Sequence, residues 1–281
     1  MNANIISRRS FLGAVAAAPL VAAAAASKSI PVGLELYSVR GDLKNDLMGT
    51  VRGVAHLGYN CVEFYAPYYG WTTDYAGKVR AELDELGIRC YSTHNGLNSF
   101  TPEGLGKAMD LNKTLGSRYI VLASPGELSG LDDYKRVAET LNTADQTLQR
   151  QGLHAGYHNH DAEWRPIAGR RPMDLLSATL AKDIMLQLDV GTCLEAGGDA
   201  VAWIKQNPGR IRSMHVKDWS PQRGYKVLTG EGIAPWKRIF VAAETTGGIE
   251  YYLIEQEGSD YPEMETAEKC LTAFRKLHAG K

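Results

Sequence analysis

Residues 132–160 read DDYKRVAETLNTADQTLQRQGLHAGYHNH. The first part, Asp132–Gln151, is an amphipathic helical stretch, and Gly152 stops it where a C-cap glycine belongs. A short apolar strand, His154–His158, follows at once. Helix, glycine and buried strand make one structural step, and the strand ends in polar residues.

The same step recurs along the chain. Candidate strands are Val32–Val39, Cys61–Tyr65, Arg89–His94, Tyr119–Ala123, His154–His158, Met185–Val190, Ile211–Val216 and Glu250–Glu255. They are short and rich in Val, Ile, Leu and Tyr, as buried parallel strands are. Asp74–Leu86 and Pro102–Leu115 are further amphipathic helices, and Gly58, Gly87 and Gly116 repeat the stop. Eight such units match an α/β (β/α)8 TIM barrel, which takes about 250 residues. A doubly wound open sheet is the rival. It calls for a glycine-rich fingerprint after the first strand, and neither GxGxxG there nor GxxxxGK[ST] anywhere is present. The composition is globular, with 44% hydrophobic and 22% charged residues among 281. We read a single barrel domain over residues 27–281.

The first residues read as an address. Arg8-Arg9 precedes Phe11-Leu12, an Ala-rich run to Ala26 follows, and the pattern is that of a twin-arginine signal peptide over residues 1–26. The run contains Pro19 and falls short of the roughly 20 residues of a membrane span. Cleavage is expected, with a periplasmic protein, no stable span, and the twin-arginine export machinery as a partner. The formal charge of -1 comes from 31 basic and 32 acidic residues. Losing Arg8 and Arg9 leaves 29 against 32, or -3. Nucleic-acid binding needs a basic footprint and is not expected. Four cysteines lack CxxC spacing, which argues against a disulfide scaffold or a zinc ribbon. Cys61 and Cys90 fall on neighbouring strands, where a disulfide is conceivable but two buried thiols are the plainer reading. Association into a homo-oligomer is left open.

In such a barrel the chemistry sits where strands end. Those ends carry Glu35 and Tyr37, Glu63, His94, His158 and His160, Asp189, His215 and Glu255. A charge near the barrel axis is costly unless paired or bound to a metal. A lone strand histidine is more often a hydrogen-bonded core residue, and Asp189 could be a helix N-cap. Residues of this kind on seven strands together point to a site. His158, Asp189, His215 and Glu255 form a mixed nitrogen and oxygen set for one divalent metal: Mn, Co, Zn, Mg or Fe.

The His215–Asp218 stretch (HVKD), Leu188–Gly191 (LDVG), Tyr157–His160 (YHNH) and Ile254–Gln256 (IEQ) resemble the xylose isomerase-like TIM barrels, also called sugar phosphate isomerases/epimerases. The resemblance runs from about Pro31 to Leu277 and includes Gly230-Glu231-Gly232 with Trp236. It implies a divalent metal held by Glu, Asp, His and Glu from strands five to eight. Asp189, His215 and Glu255 match three of these, and His158 stands where the family has its first Glu. In the epimerases both glutamates shuttle protons, so the histidine puts the symmetric mechanism in doubt. It tilts the reading toward a keto-sugar and keeps elimination open.

The expected reaction is proton abstraction beside a carbonyl of an unphosphorylated sugar. Glu255 or His160 would be the base, and Lys217 would neutralise oxyanion charge, its alternative being a salt bridge to Asp218. Glu35, Glu63, His94, Glu163, Trp164 and Glu231 are the expected substrate contacts, with Trp71, Trp164, Trp219 and Trp236 as sugar platforms. A metal-dependent isomerase or epimerase is the first reading. A 3-keto-glycoside lyase, hydrolase or dehydratase is the second. An exported carbohydrate-binding protein without turnover is the third. An apurinic endonuclease on the same barrel would need more metal ligands and a basic groove.

Overall fold

Gly58, Gly87, Gly116 and Gly152 have φ of 95°, 68°, 76° and 72°, the left-handed backbone that glycine adopts at least cost. Gly116 caps the helix Pro102–Leu115 directly, its N–H reaching the carbonyls of Asn112 and Lys113. The chain then enters strand β4. The structure is a computed structural model that describes Met1 and residues 29–281. Apart from Met1, the export segment read over residues 1–26 lies outside the described residues. No helix among the described residues is long and apolar enough to cross a membrane.

The strands are β1 (Val32–Glu35), β2 (Cys61–Phe64), β3 (Arg89–Gly96), β4 (Tyr119–Ser124), β5 (His154–His158), β6 (Met185–Asp189), β7 (Ser213–Val216) and β8 (Tyr251–Ile254). They pair in parallel in sequence order, and β1 also pairs with β8, closing the barrel. Strand β1 is shorter than the sequence suggests. The Glu35 carboxylate accepts the Tyr37 N–H, so Leu36–Val39 turns into a 3-10 helix. Strand β3 runs two residues past His94, to Gly96.

Side-chain alternation divides each strand between two environments. Leu186 and Leu188 of β6, like Met214 and Val216 of β7, face out and join the main core. Met185 faces in, with Cys61, Tyr119, Val121, Tyr251 and Leu253, and these six plug the lower barrel. Above the plug, the inward positions turn polar: Gln187 and Asp189 on β6, Ser213 and His215 on β7. All four are fully buried. An apolar, low-dielectric floor beneath polar side chains strengthens the electrostatic contacts above it. Cys61 and Cys90 are buried free thiols, so the plainer reading of these cysteines is the one observed.

Candidate active site

Four strands deliver the expected ligands to one place. His158, Asp189, His215 and Glu255 each offer an atom, and these atoms lie within 4.8 Å of one another, all on buried residues. Asp189 caps a helix with one carboxylate oxygen and turns the other toward the cluster. Its Oδ1 accepts the Thr192 N–H at 2.9 Å and caps the short helix Val190–Glu195, while Oδ2 faces His158 Nε2 at 4.0 Å.

Gln187 organises the imidazoles. Its amide nitrogen donates to Glu63 Oε1 at 3.0 Å and to Ser213 Oγ at 3.1 Å. Its oxygen therefore faces His94 Nε2 at 2.7 Å and His158 Nδ1 at 3.1 Å, and both rings must donate. That leaves the lone pair of His158 on Nε2, toward Asp189. His215 Nε2 donates to Glu63 at 2.8 Å and leaves Nδ1 directed at Glu255. A ligating imidazole commonly has its other ring nitrogen held by a carboxylate or carbonyl in this way.

The charges follow from burial and neighbours. Burial, then the nearby His215 and His94, push the His158 imidazole well below its ordinary pKa, so it is neutral and ligand-competent. Burial works against a charged His215 as well, but Glu255 and Glu63 outweigh it and raise that imidazole well above its usual value. Burial opposes ionisation of Glu255, yet Lys217 and His215 hold its carboxyl well below the usual range. Lys217 is itself buried and kept charged by Asp189 at 3.1 Å, Glu255 at 3.3 Å and Glu257. His158 offers a free nitrogen, His215 would offer Nδ1 once an incoming cation displaces its proton, and Asp189 and Glu255 add carboxyl oxygens, a donor set that fits a divalent cation.

A cavity of about 400 Å³ opens above this centre. Glu35, His94, His158, His160 and Glu255 line it, together with Tyr37, Tyr65 and Glu257. His160 is exposed at the mouth, edge-on to His158 with ring centroids 4.9 Å apart. Glu35 lies on the wall. Its Oε1 is buried without a partner, 3.8 Å from His94 Nδ1. Burial, then Glu255 and Glu63, raise its carboxyl well above the ordinary value.

Other expected contacts are placed elsewhere. Glu63 is fully buried and spends its carboxylate on Ser92, Gln187, His94 and His215, beneath the cavity. Glu163 is buried too. Its Oε1 accepts the Tyr157 hydroxyl at 2.8 Å and Oε2 the His160 N–H at 2.7 Å, so it braces the end of β5 and does not line the cavity as a substrate contact. Trp164 is buried edge-on against Trp203 and is absent from the cavity wall. Trp236 donates its indole N–H to Asp218 at 2.8 Å and stacks on Phe240. Trp71 packs against Phe64, Tyr68 and Tyr75, away from the centre, so the aromatic rings on the cavity are Tyr37 and Tyr65. Glu231 is exposed and accepts the Leu228 N–H at 3.0 Å. Its loop is wrapped round Asp218, which takes the N–H groups of Gly230 and Gly232. Asp218 is thus a loop anchor, and the carboxylates paired with Lys217 are Asp189, Glu255 and Glu257. Gln187 escaped sequence reading, although its place two residues before Asp189 puts it on the same face.

The fold and site define a (β/α)8 barrel with a polar, metal-competent centre at the C-terminal mouth. The chain belongs to the xylose isomerase-like TIM barrel family, whose model matches residues 51–277. No curated protein matches it. Among solved structures it is similar to a sugar phosphate isomerase/epimerase from Parabacteroides distasonis ATCC 8503, with 25% identity, 93% of this chain and 99% of that one covered, and a TM-score of 0.74. It shares its fold with a D-psicose 3-epimerase from Clostridium cellulolyticum H10, whose structure contains D-tagatose (15% identity, 89% and 99% covered, TM-score 0.69). The same holds for the IOLI protein with a bound zinc atom (15% identity, 89% and 99% covered, TM-score 0.69).

Proposed function

We propose that this protein is a divalent-metal-dependent isomerase or epimerase that abstracts a proton beside the carbonyl of an unphosphorylated keto-sugar. The observation that carries the reading is the convergence of His158, Asp189, His215 and Glu255 within 4.8 Å under a cavity wide enough for a sugar. Its likeness to a sugar phosphate isomerase/epimerase and to a D-psicose 3-epimerase supports it. A bound ion would supply a Lewis acid for the carbonyl and neighbouring hydroxyl oxygens.

The chain's own residues divide the remaining work. Glu255 is flanked by two cationic groups and is therefore a weak base, which suits a ligand. His160 reaches the cavity from the rim and carries the proton. Lys217 balances the carboxylates from behind. The cavity wall bears carboxylates at Glu35, Glu255 and Glu257 and, among the described residues, no Lys or Arg. The wall thus offers no lysine or arginine to pair with a phosphate, which favours a free sugar, as does the export address at Arg8-Arg9. We place the protein in the periplasm on that address.

One observation favours a second reading. Both oxygens of Glu163 are committed, so imidazoles stand opposite Glu255 where a symmetric epimerase needs a second glutamate. His158 spends its N–H on Gln187, so His160 is the imidazole left to protonate a leaving group, which suits a 3-keto-glycoside lyase. Incubation with keto-sugars and 3-keto-glycosides decides between them. A recovered sugar of inverted configuration supports the epimerase, and an unsaturated sugar with released alcohol supports the lyase. Binding without any product would overturn both.

A further inference from the structure

A second cavity, of about 550 Å³, lies beside the first, between the loops that follow β1 and β2. Leu43, Leu47, Phe64, Pro67, Tyr68 and Trp71 supply its apolar wall. Arg40 and Lys44 also line it, and no acidic residue does. The chemistry described above makes no use of it. Protein interiors are packed nearly without voids, so an apolar recess of this size has room for a ligand.

Two connections tie it to the polar cavity. Tyr65 lines both. Arg40 of the apolar cavity lies over the Tyr37 ring at 4.5 Å and donates to the carbonyls of Tyr37 at 2.9 Å and Glu257 at 3.1 Å. Tyr37 and Glu257 both line the polar cavity. Tyr37 stands edge-on to Tyr65 at 5.4 Å. The partition between the chambers is therefore a few side chains thick. Trp71 is held in place by edge contacts with Phe64 at 5.1 Å, Tyr68 at 6.0 Å and Tyr75 at 5.2 Å, which presets a flat apolar surface.

A polar chamber that fits a sugar thus adjoins an aromatic chamber edged with cations. We propose that the second cavity is an aglycone site. The substrate would be an aryl 3-keto-glycoside whose oxidised sugar ring, bearing the carbonyl that the reaction needs, occupies the polar cavity while its aromatic group lies against Trp71 and Phe64. Phenolate or carboxylate substituents on that group would face Arg40 and Lys44. The proposal rests on the reading of the polar cavity as a sugar site and adds the substrate class.

Equilibrium binding to the full-length protein tests it without requiring turnover. The probes are methyl, phenyl and 4-carboxyphenyl 3-keto-β-glucosides, offered to metal-free protein so that none is turned over. Phenyl glycosides should bind at least about tenfold tighter than methyl ones, in line with the apolar area of one ring. The 4-carboxyphenyl glycosides should gain further. Leu47→Trp, which fills the chamber, should remove the aryl advantage and leave methyl glycosides unchanged. Trp71→Ala should do the same and guards against misfolding of the first variant. Lys44→Ala, an exposed change, should remove only the gain from the carboxylate. Equal affinity for methyl and phenyl glycosides, no binding of any aryl member, or an aryl advantage that survives both Leu47→Trp and Trp71→Ala would overturn the proposal. Those failures leave proton exchange on a simple keto-sugar untouched. Loss of exchange with the aryl preference intact would count against the reaction instead.

Discussion

Replacing Glu163 separates a brace from a substrate contact. Its carboxylate is buried and accepts two hydrogen bonds, from the Tyr157 hydroxyl at 2.8 Å and the His160 N–H at 2.7 Å. Tyr157 is fully buried as well. Glu163→Ala strands both donors, and each unsatisfied buried group costs about 1–3 kcal/mol. With the small void left behind, the expected loss is about 3–5 kcal/mol, a large share of the roughly 5–15 kcal/mol that holds a domain folded. Glu163→Gln should differ sharply. Its amide oxygen can keep the His160 N–H, and its amide N–H can donate to the Tyr157 oxygen, so the loss should stay near about 1 kcal/mol. Urea unfolding of metal-free protein, followed by circular dichroism, measures both. The glutamine variant should also keep most of its turnover, since it still positions His160. An alanine variant as stable as the parent, or a glutamine variant with intact stability but no activity, would refute the bracing role.

Three further outcomes follow from the same geometry. Protein folded with metal should hold near one equivalent of divalent ion per chain; Asp189→Ala and His215→Ala should lose most of it, and unchanged content by elemental analysis would remove the ligand assignment. Lys217→Met leaves Asp189, Glu255 and Glu257 without their buried cation. Breaking such a pairing typically costs about 3–5 kcal/mol, and added divalent metal should restore more stability to this variant than to the parent; equal restoration in a thermal melt would count against the arrangement. The folded Glu35 carboxyl titrates above its ordinary 4.5, so as pH rises through that window the unfolded chain releases its proton first and the parent loses stability. Metal-free Glu35→Gln should therefore melt above the parent at neutral pH, with the gain vanishing below about pH 4; a gain independent of pH would contradict this.

The barrel was legible because its signals are local. Gly58, Gly87, Gly116 and Gly152 mark helix ends by a backbone conformation that belongs to the residue itself. Asp189, His215 and Glu255 stand out because each follows an apolar strand. Non-local relations were out of reach. Gln187 touches His94 and Glu63 across the barrel, at sequence separations of 93 and 124. Glu63 looked like a substrate contact until its partners on β3, β6 and β7 were in place. Trp164 and Glu231 fall in loops on the catalytic side, but position in the chain does not say which way a loop side chain turns. Trp164 turned to Trp203, and the Gly230-Glu231-Gly232 loop closed on Asp218. Trp71 was expected at the sugar and lies instead in the neighbouring apolar chamber.

The central claim is that a metal at His158, Asp189, His215 and Glu255 enables proton abstraction beside a carbonyl. Solvent-exchange measurements on keto-sugars in D₂O test it most directly, with metal-loaded, chelator-stripped and Asp189→Ala protein compared side by side. The account predicts that deuterium enters the carbon next to the carbonyl with the loaded protein, stops on stripping, returns on reloading, and is absent in Asp189→Ala. Exchange that persists unchanged without metal or in the variant would contradict it, as would no exchange on any keto-sugar or keto-glycoside by protein shown to carry its metal.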